Sequence, residues 1–200
     1  MITIYGISAS RTLRPLWMLE ELGLEYEHVQ TNFSGDNKQP EYLALNPNGH
    51  IPTLVDGDTV LWESLAINLY LAEKYDGGLN PKTVEDRGRA IQWSFWAMLE
   101  TEKSLLEFLF NTLILPPDQR DAAACEAAVS ELQAPMRVLD DALEGREFLL
   151  GDSFSVADLN VAAVFSWAVP AKLDLSGFPN LSRWLLACIG RPAARAALAK

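Results

Sequence analysis

The sequence predicts an α/β domain followed by an all-helical one, on three observations. Up to about residue 75, short β-rich runs alternate with amphipathic segments in the order βαβαββα. A cluster of turn formers, Asp76-Gly77-Gly78-Leu79-Asn80-Pro81, then breaks the pattern. Beyond it the segments carry helical spacing. The boundaries read as an α/β domain over 1–75, a linker over 76–82 and a helical domain over 83–200.

Ile2-Thr3-Ile4-Tyr5 is a β-rich run stopped by Gly6. A Ser/Ala loop leads into a helix carrying Leu13, Leu16, Trp17, Leu19 and Leu22, closed by Gly23. Pro15 favours Thr12 over Ser10 as the cap of that helix. With Thr12 as cap the proline falls in the first turn, where no intrahelical N–H is needed. Tyr26 to Thr31 forms the second strand, parallel to the first with a right-handed crossover. After the polar loop Asn32–Lys38 comes a short helix, Pro40 to Leu45. The stretch Asn46-Pro47-Asn48-Gly49-His50 is a tight loop. It opens a hairpin of Ile51–Val55 and Thr59–Leu61 across Asp56-Gly57-Asp58. Pro52 suits a strand start, since it cannot donate to a central ladder. Ser64 is placed to cap the helix that follows.

In the second half, Glu85 to Leu115 is one long helical pattern ended by Pro116-Pro117. Asp118 to Leu143 is amphipathic and contains Pro135, a kink site. Phe148 to Gly151 is a short extended bridge. Ser155-Val156-Ala157-Asp158 is a capping box with Asp in place of Glu, opening a helix with Leu159, Ala162, Ala163 and Phe165. Pro179 starts another helix, and Gly190-Arg191-Pro192 separates it from a final Ala-rich one.

Composition narrows the functions available. Hydrophobic residues make up 49% of the chain, which is ample for a packed core. A net charge of −11 argues against binding nucleic acid or anionic membranes. The two cysteines, Cys125 and Cys188, are far apart and in no CxxC pattern, as expected of reduced thiols in a cytoplasm. No charged-then-apolar leader is expected ahead of Ile2, and no charge-free run approaches the roughly 20 residues that span a bilayer.

Ile51-Pro52, followed by Glu63-Ser64, resembles the glutathione site of the cytosolic glutathione transferase superfamily. The order of elements in the first 75 residues resembles thioredoxin, including the proline at the third strand. Ser155-Val156-Ala157-Asp158 resembles the box of that superfamily's core helix. Phe178-Pro179-Asn180-Leu181, Trp184, Arg191-Pro192, Ala196 and Leu198 resemble its C-terminal ending, so the likeness covers essentially the whole chain. It implies a bacterial enzyme of the serine-using, theta-like or beta-like type, with a thioredoxin-like domain and a helical bundle. It also implies glutathione as co-substrate, no metal, a small electrophilic second substrate and a homodimer.

The same likeness assigns roles. Aligned on Tyr5 and Arg14, Ser10 takes the catalytic position, with Thr12 the other candidate donor to the glutathione thiolate. Glu63 is expected to receive the γ-glutamyl ammonium, and Ser64 with its helix N-terminus the γ-glutamyl carboxylate. The Ile51 backbone, before a cis Pro52, is expected to pair with the cysteinyl portion. His50 stands where relatives carry Gln or Lys against the glycyl carboxylate, and Gln39 is a further contact. Lys38 is a further candidate contact beside Gln39, with surface solvation its favoured reading. On the long helix, Trp93, Trp96, Glu100 and Lys103 share a face at helical spacing, and Trp96, Glu100 and Lys103 are expected to border the second-substrate pocket. Two other functions fit the pattern less well: a glutathione-dependent disulfide or peroxide reductase, and a non-catalytic interaction protein of the same fold.

Overall fold

The computed structural model describes all residues 1–200, which form two compact units. The first comprises Met1–Asn80 together with Arg191–Lys200, and the second comprises Pro81–Gly190. Where the sequence reading carried the helical domain to residue 200, the contacts group the final ten residues with the α/β unit.

Four strands make the sheet of the first unit: β1 (Ile2–Tyr5), β2 (Tyr26–Val29), β3 (Thr53–Asp56) and β4 (Thr59–Trp62), in the order β2-β1-β3-β4. β1 and β2 are parallel, while β3 is antiparallel to both β1 and β4. The helices of this unit are α1 (Leu13–Glu21), α2 (Pro40–Leu45) and α3 (Ser64–Tyr75). Ile4, Leu54, Leu16, Leu19, Ile67 and Leu71 are fully buried and form its core.

α1 starts where the sequence places it, with Thr12 at the N-cap position, but the capping bond comes from elsewhere. Thr12 makes no capping bond through its side chain. Instead Ser10 Oγ accepts the Thr12 N–H at 3.1 Å, and the Ser10 carbonyl accepts the Leu13 N–H at 3.0 Å. Ser10 therefore caps a tight turn that feeds α1. Pro15 offers no N–H to the Arg11 carbonyl, and the Arg14 N–H takes that carbonyl at 3.2 Å. The Thr12 side chain lies against Gly6, where any Cβ would fall 2.0 Å from Thr12 Oγ1, and Gly6 has φ +138°. At the other end, Gly23 in the left-handed region closes α1, with Leu24 N–H on the Leu19 carbonyl and Gly23 N–H on the Glu20 carbonyl.

Asp56 ties the hairpin to α3. Its Oδ2 accepts from Lys74 Nζ at 2.7 Å, Tyr75 OH at 2.8 Å and Tyr70 OH at 3.0 Å. Burial alone would raise the Asp56 pKa, but these three donors outweigh it and hold it below the usual carboxylate range. A lowered folded pKa contributes stability that is present above the unfolded value, near 3.8, and is lost as pH falls through the folded one. Asp56→Asn should therefore flatten the acid limb of a plot of stability against pH below about pH 4. Urea denaturation at a series of acid pH values checks this, and an unchanged slope would show that the cluster carries none of it.

The second unit is helical: α4 (Val84–Trp96), α5 (Glu102–Leu109), α6 (Ala122–Ala142), α7 (Val156–Phe165) and α8 (Pro179–Ile189). α4 and α5 belong to one long rod with π-helical segments at Ala97–Thr101 and Phe110–Ile114. Thr83 caps the rod by accepting the Asp86 N–H. α6 carries Pro135 within it and is capped by Asp121. Every residue of α7 is buried, and the capping box of Ser155 and Asp158 is formed. In α9 (Pro192–Leu198), which belongs to the first unit, the preceding Arg191 makes a bidentate pair with Glu21 of α1 at 2.6 and 2.8 Å.

Candidate functional site

Strand register assembles the site. Tyr5, the last residue of β1, pairs with Thr53, and Thr53 pairs with Trp62, the last residue of β4. The segments leaving this end of the sheet are the 6–12 loop, the 46–52 turn and the start of α3. The separately expected residues Ser10, His50, Ile51, Pro52, Glu63 and Ser64 thus share one end of one sheet.

The Ile51-Pro52 bond is cis, and the sheet begins only at Thr53, so the Ile51 backbone lies off the ladder. The turn before it is held from behind. Tyr42 OH and Asn46 Nδ2 both donate to the His50 carbonyl, and Tyr42 OH also meets Thr53 Oγ1 at 2.8 Å. His50 itself is exposed. Lys38, read as a surface residue, reaches across to the Gly49 carbonyl at 2.8 Å, which brings a cation beside His50. Gly49 has φ +60°, and a Cβ there would sit 2.9 Å from the Asn37 carbonyl oxygen, so the turn favours glycine. Gln39 is exposed and lines a cleft of about 400 Å³ with Tyr5, Thr31, Asp36, Glu41 and Tyr42.

β4 turns into α3 within one residue. Glu63 is exposed and has φ 72° and ψ 107°, a conformation that costs a non-glycine residue about 1–3 kcal/mol. Ser64 is the first helical residue and not the cap, which corrects the sequence reading. The first turn closes with the Ile67 N–H on the Glu63 carbonyl, leaving the earlier N–H groups outside the helical ladder at the positive end of the dipole. Ser64 Oγ accepts from Arg14 Nη1 at 3.0 Å, and Arg14 is only 1% exposed.

In the 6–12 loop, Ser10 is buried, and its hydroxyl lies 2.6 Å from the Ile7 carbonyl and 2.9 Å from Thr12 Oγ1. Thr12 is fully buried, whereas Ser8 is half-buried. In the second unit, Trp96 stacks on Phe165 with ring centroids 6.4 Å apart, and Trp93 packs edge-on to it at 5.0 Å. Glu100 and Lys103 are exposed. The π-helical segment at 97–101 adds backbone to the turn between Trp96 and Lys103.

Sequence reasoning missed the buried contact of Arg14 with Ser64 and the reach of Lys38 to the Gly49 carbonyl. A signal existed for Arg14: it is a charged residue amid the apolar run Leu13, Pro15, Leu16 and Trp17.

This arrangement is that of a glutathione transferase. The chain matches the family models for the glutathione S-transferase N-terminal domain over residues 1–73 and C-terminal domain over 104–192, and it belongs to that family. It is 34% identical to glutathione S-transferase GstB of Escherichia coli strain K12, over 98% of this chain and 96% of that protein. It is 35% identical to glutathione S-transferase 3 of Zea mays, over 96% and 90% of the two chains. Among solved structures it is similar to the theta class glutathione S-transferase of Xanthomonas axonopodis pv. citri, solved with glutathione bound. That match has a TM-score of 0.91 and 31% identity, over 100% of this chain and 97% of that one.

Proposed function

We propose that this chain is a glutathione transferase that holds glutathione as a thiolate for attack on a small electrophilic or peroxide substrate. The observation that carries this reading is the convergence, at one sheet end, of the Ser10 loop, the cis Ile51-Pro52 turn and the N-terminus of α3 bearing Glu63 and Ser64. An anionic tripeptide suits that end. Ser64 and the α3 N-terminus take the γ-glutamyl carboxylate, Glu63 the ammonium, the Ile51 backbone the cysteinyl unit, and His50 with Lys38 the glycyl carboxylate. Gln39 adds a polar contact at the margin.

The chemical step is thiolate attack. A free thiol has a pKa of about 8.5, so most of it is protonated at neutral pH. A hydroxyl donor at the sulfur, assigned to Ser10 ahead of Thr12, and the nearby helix N-termini favour the anion. The thiol proton leaves to solvent. At an electrophilic carbon a C–S bond forms and the leaving group departs with its electron pair. At a hydroperoxide the sulfur takes the terminal oxygen, the alkoxide leaves and is protonated, and a second glutathione converts the sulfenic acid to glutathione disulfide and water. Trp96, Glu100 and Lys103 are assigned to the second-substrate side. Retention on immobilised glutathione, followed by turnover of a chloronitrobenzene and of a hydroperoxide, tests the reading. Retention without either turnover would leave a binding protein, and no retention would overturn the proposal.

The active form is a homodimer. Ile91, Phe95 and Leu99 recur at four-residue spacing along the α4 rod and are 45%, 63% and 75% exposed, an apolar face suited to a second copy. Leu99→Glu should convert a dimer to a monomer in sedimentation at micromolar concentration, and a wild-type monomer would remove the assignment. Both cysteines are free thiols, as in a reducing cytoplasmic setting; no helix is long and apolar enough to cross a membrane.

A further inference from the structure

We propose that Tyr42, with Asn46 beside it, is a positioning residue of the cysteinyl subsite: its hydroxyl holds the His50 carbonyl inward and so aims the Ile51 N–H at the ligand. The inference rests on the reading that the Ile51 backbone pairs with the cysteinyl unit. The His50–Ile51 bond is trans, the one cis bond of the chain being Ile51-Pro52. In a trans peptide the N–H points opposite to the C=O. Tyr42 OH and Asn46 Nδ2 donate to the His50 oxygen at 2.5 and 2.8 Å, from α2 and its C-terminal cap. The Ile51 N–H is thereby turned away from both, and it makes no hydrogen bond to the rest of the chain. It is a donor of fixed direction for a carbonyl of an extended ligand.

Proton counting gives the network one direction. A carbonyl can only accept, so the single Tyr42 proton goes to His50. The 2.8 Å contact between Tyr42 and Thr53 is then donated by the Thr53 hydroxyl. Asn46 Nδ2 has two protons, one for His50 and one for Thr53 Oγ1 at 3.3 Å. Its amide is not reversed, because Asn46 Oδ1 accepts the Asn48 N–H at 3.1 Å. Every bond therefore runs from Asn46, directly or through Thr53 and Tyr42, to one carbonyl. All three side chains are buried, where successive bonds polarise one another and an unpaired group is costly. Two donors on the His50 oxygen also draw electron density from the shared amide, which makes the Ile51 N–H a stronger donor. Phenylalanine at position 42 would fill the same space without turning the peptide.

Hydrogen exchange of the Ile51 amide, followed by NMR on the full chain with and without saturating glutathione, tests this. In wild type, glutathione should slow that exchange about tenfold or more. No slowing would sink the Ile51 reading itself, whatever Tyr42 does. Given the slowing, Tyr42→Phe should reduce it about threefold or more. The same variant should raise the Kd and KM for glutathione about fivefold while keeping kcat within about twofold. The Leu54 and Val55 amides of β3 should exchange at near wild-type rates in the variant. Unchanged slowing at Ile51, or an unchanged Kd, would overturn the proposal. Weaker binding matched by equally faster exchange throughout β3 would mean a merely structural role and would overturn it too. Should Tyr42→Phe fail to fold, Asn46→Ala decides. It removes the other donor to the His50 carbonyl and should bring a similar loss of slowing at Ile51, so full slowing there would overturn the proposal.

Discussion

Asp158→Ala should destabilise the helical unit by roughly 3–5 kcal/mol, enough to threaten folding at physiological temperature. Asp158 is fully buried and collects four donors. Oδ1 accepts from the Leu149 N–H at 2.8 Å and from Trp184 Nε1 at 3.0 Å. Oδ2 accepts from the Ser155 N–H at 3.0 Å and Ser155 Oγ at 2.9 Å. One carboxylate thereby joins the 148–151 turn, the start of α7 and α8. Removing it strands several buried donors, each costing about 1–3 kcal/mol where no relaxation rescues it. Burial pushes the Asp158 pKa up against the pull of these donors. Asp158→Asn is the sharper test. The amide NH2 cannot accept, so it must face at least one backbone or indole donor, and the variant should remain well below wild type despite its similar shape. For a chain of this size, 1 kcal/mol moves Tm by about 2–4 °C, so the alanine variant should melt roughly 6–20 °C lower. A loss of only 1–2 °C by calorimetry would show that water or rearrangement satisfies the donors.

That capping box could be read in the sequence because its chemistry is local: a hydroxyl and a carboxylate three residues apart, before an apolar run. The same holds for the strands, for the Gly23 stop, and for Ile51-Pro52 with Glu63-Ser64. What escaped was non-local or depended on small departures from ideal geometry. Thr12 looked like the cap of α1 because Pro15 forbids an earlier ordinary helix start. A tight turn evades that restriction by giving the Arg11 carbonyl to the Arg14 N–H. The π-helical segment at 97–101 interrupts the α-helical repeat of the long rod, yet it has no residue signature. The final helix joins the α/β unit through a pair, Arg191 and Glu21, whose members lie 170 residues apart. Arg14 was used only to align the chain, since a charged side chain in a helix is ordinarily solvated.

Ser10→Ala should raise the pKa of bound glutathione by about one to two units and slow conjugation at neutral pH, with partial recovery as the solution is made alkaline. A hydroxyl donating to sulfur stabilises thiolate and does little for thiol. Such a bond to a charged group is worth about 1.5–3 kcal/mol, which at 1.36 kcal/mol per unit gives that shift. The fold adds a second consequence. Ser10 Oγ also accepts the Thr12 N–H, so the same substitution removes a cap and should lower stability by about 1 kcal/mol. The hydroxyl has one proton, directed here to the Ile7 carbonyl or to Thr12 Oγ1. Serving the sulfur requires it to rotate while its lone pair stays on the Thr12 N–H. Thr12→Val separates the two effects. Thr12 is fully buried, so losing its hydroxyl should disturb packing around Ser10 and Gly6 and leave the thiolate pKa within a few tenths of wild type. Titrating the ultraviolet absorbance of the bound thiolate in each variant decides between them. A shift in Thr12→Val with none in Ser10→Ala would transfer the donor role to Thr12, and a shift only in Ser8→Ala would place it on the half-buried serine two residues earlier.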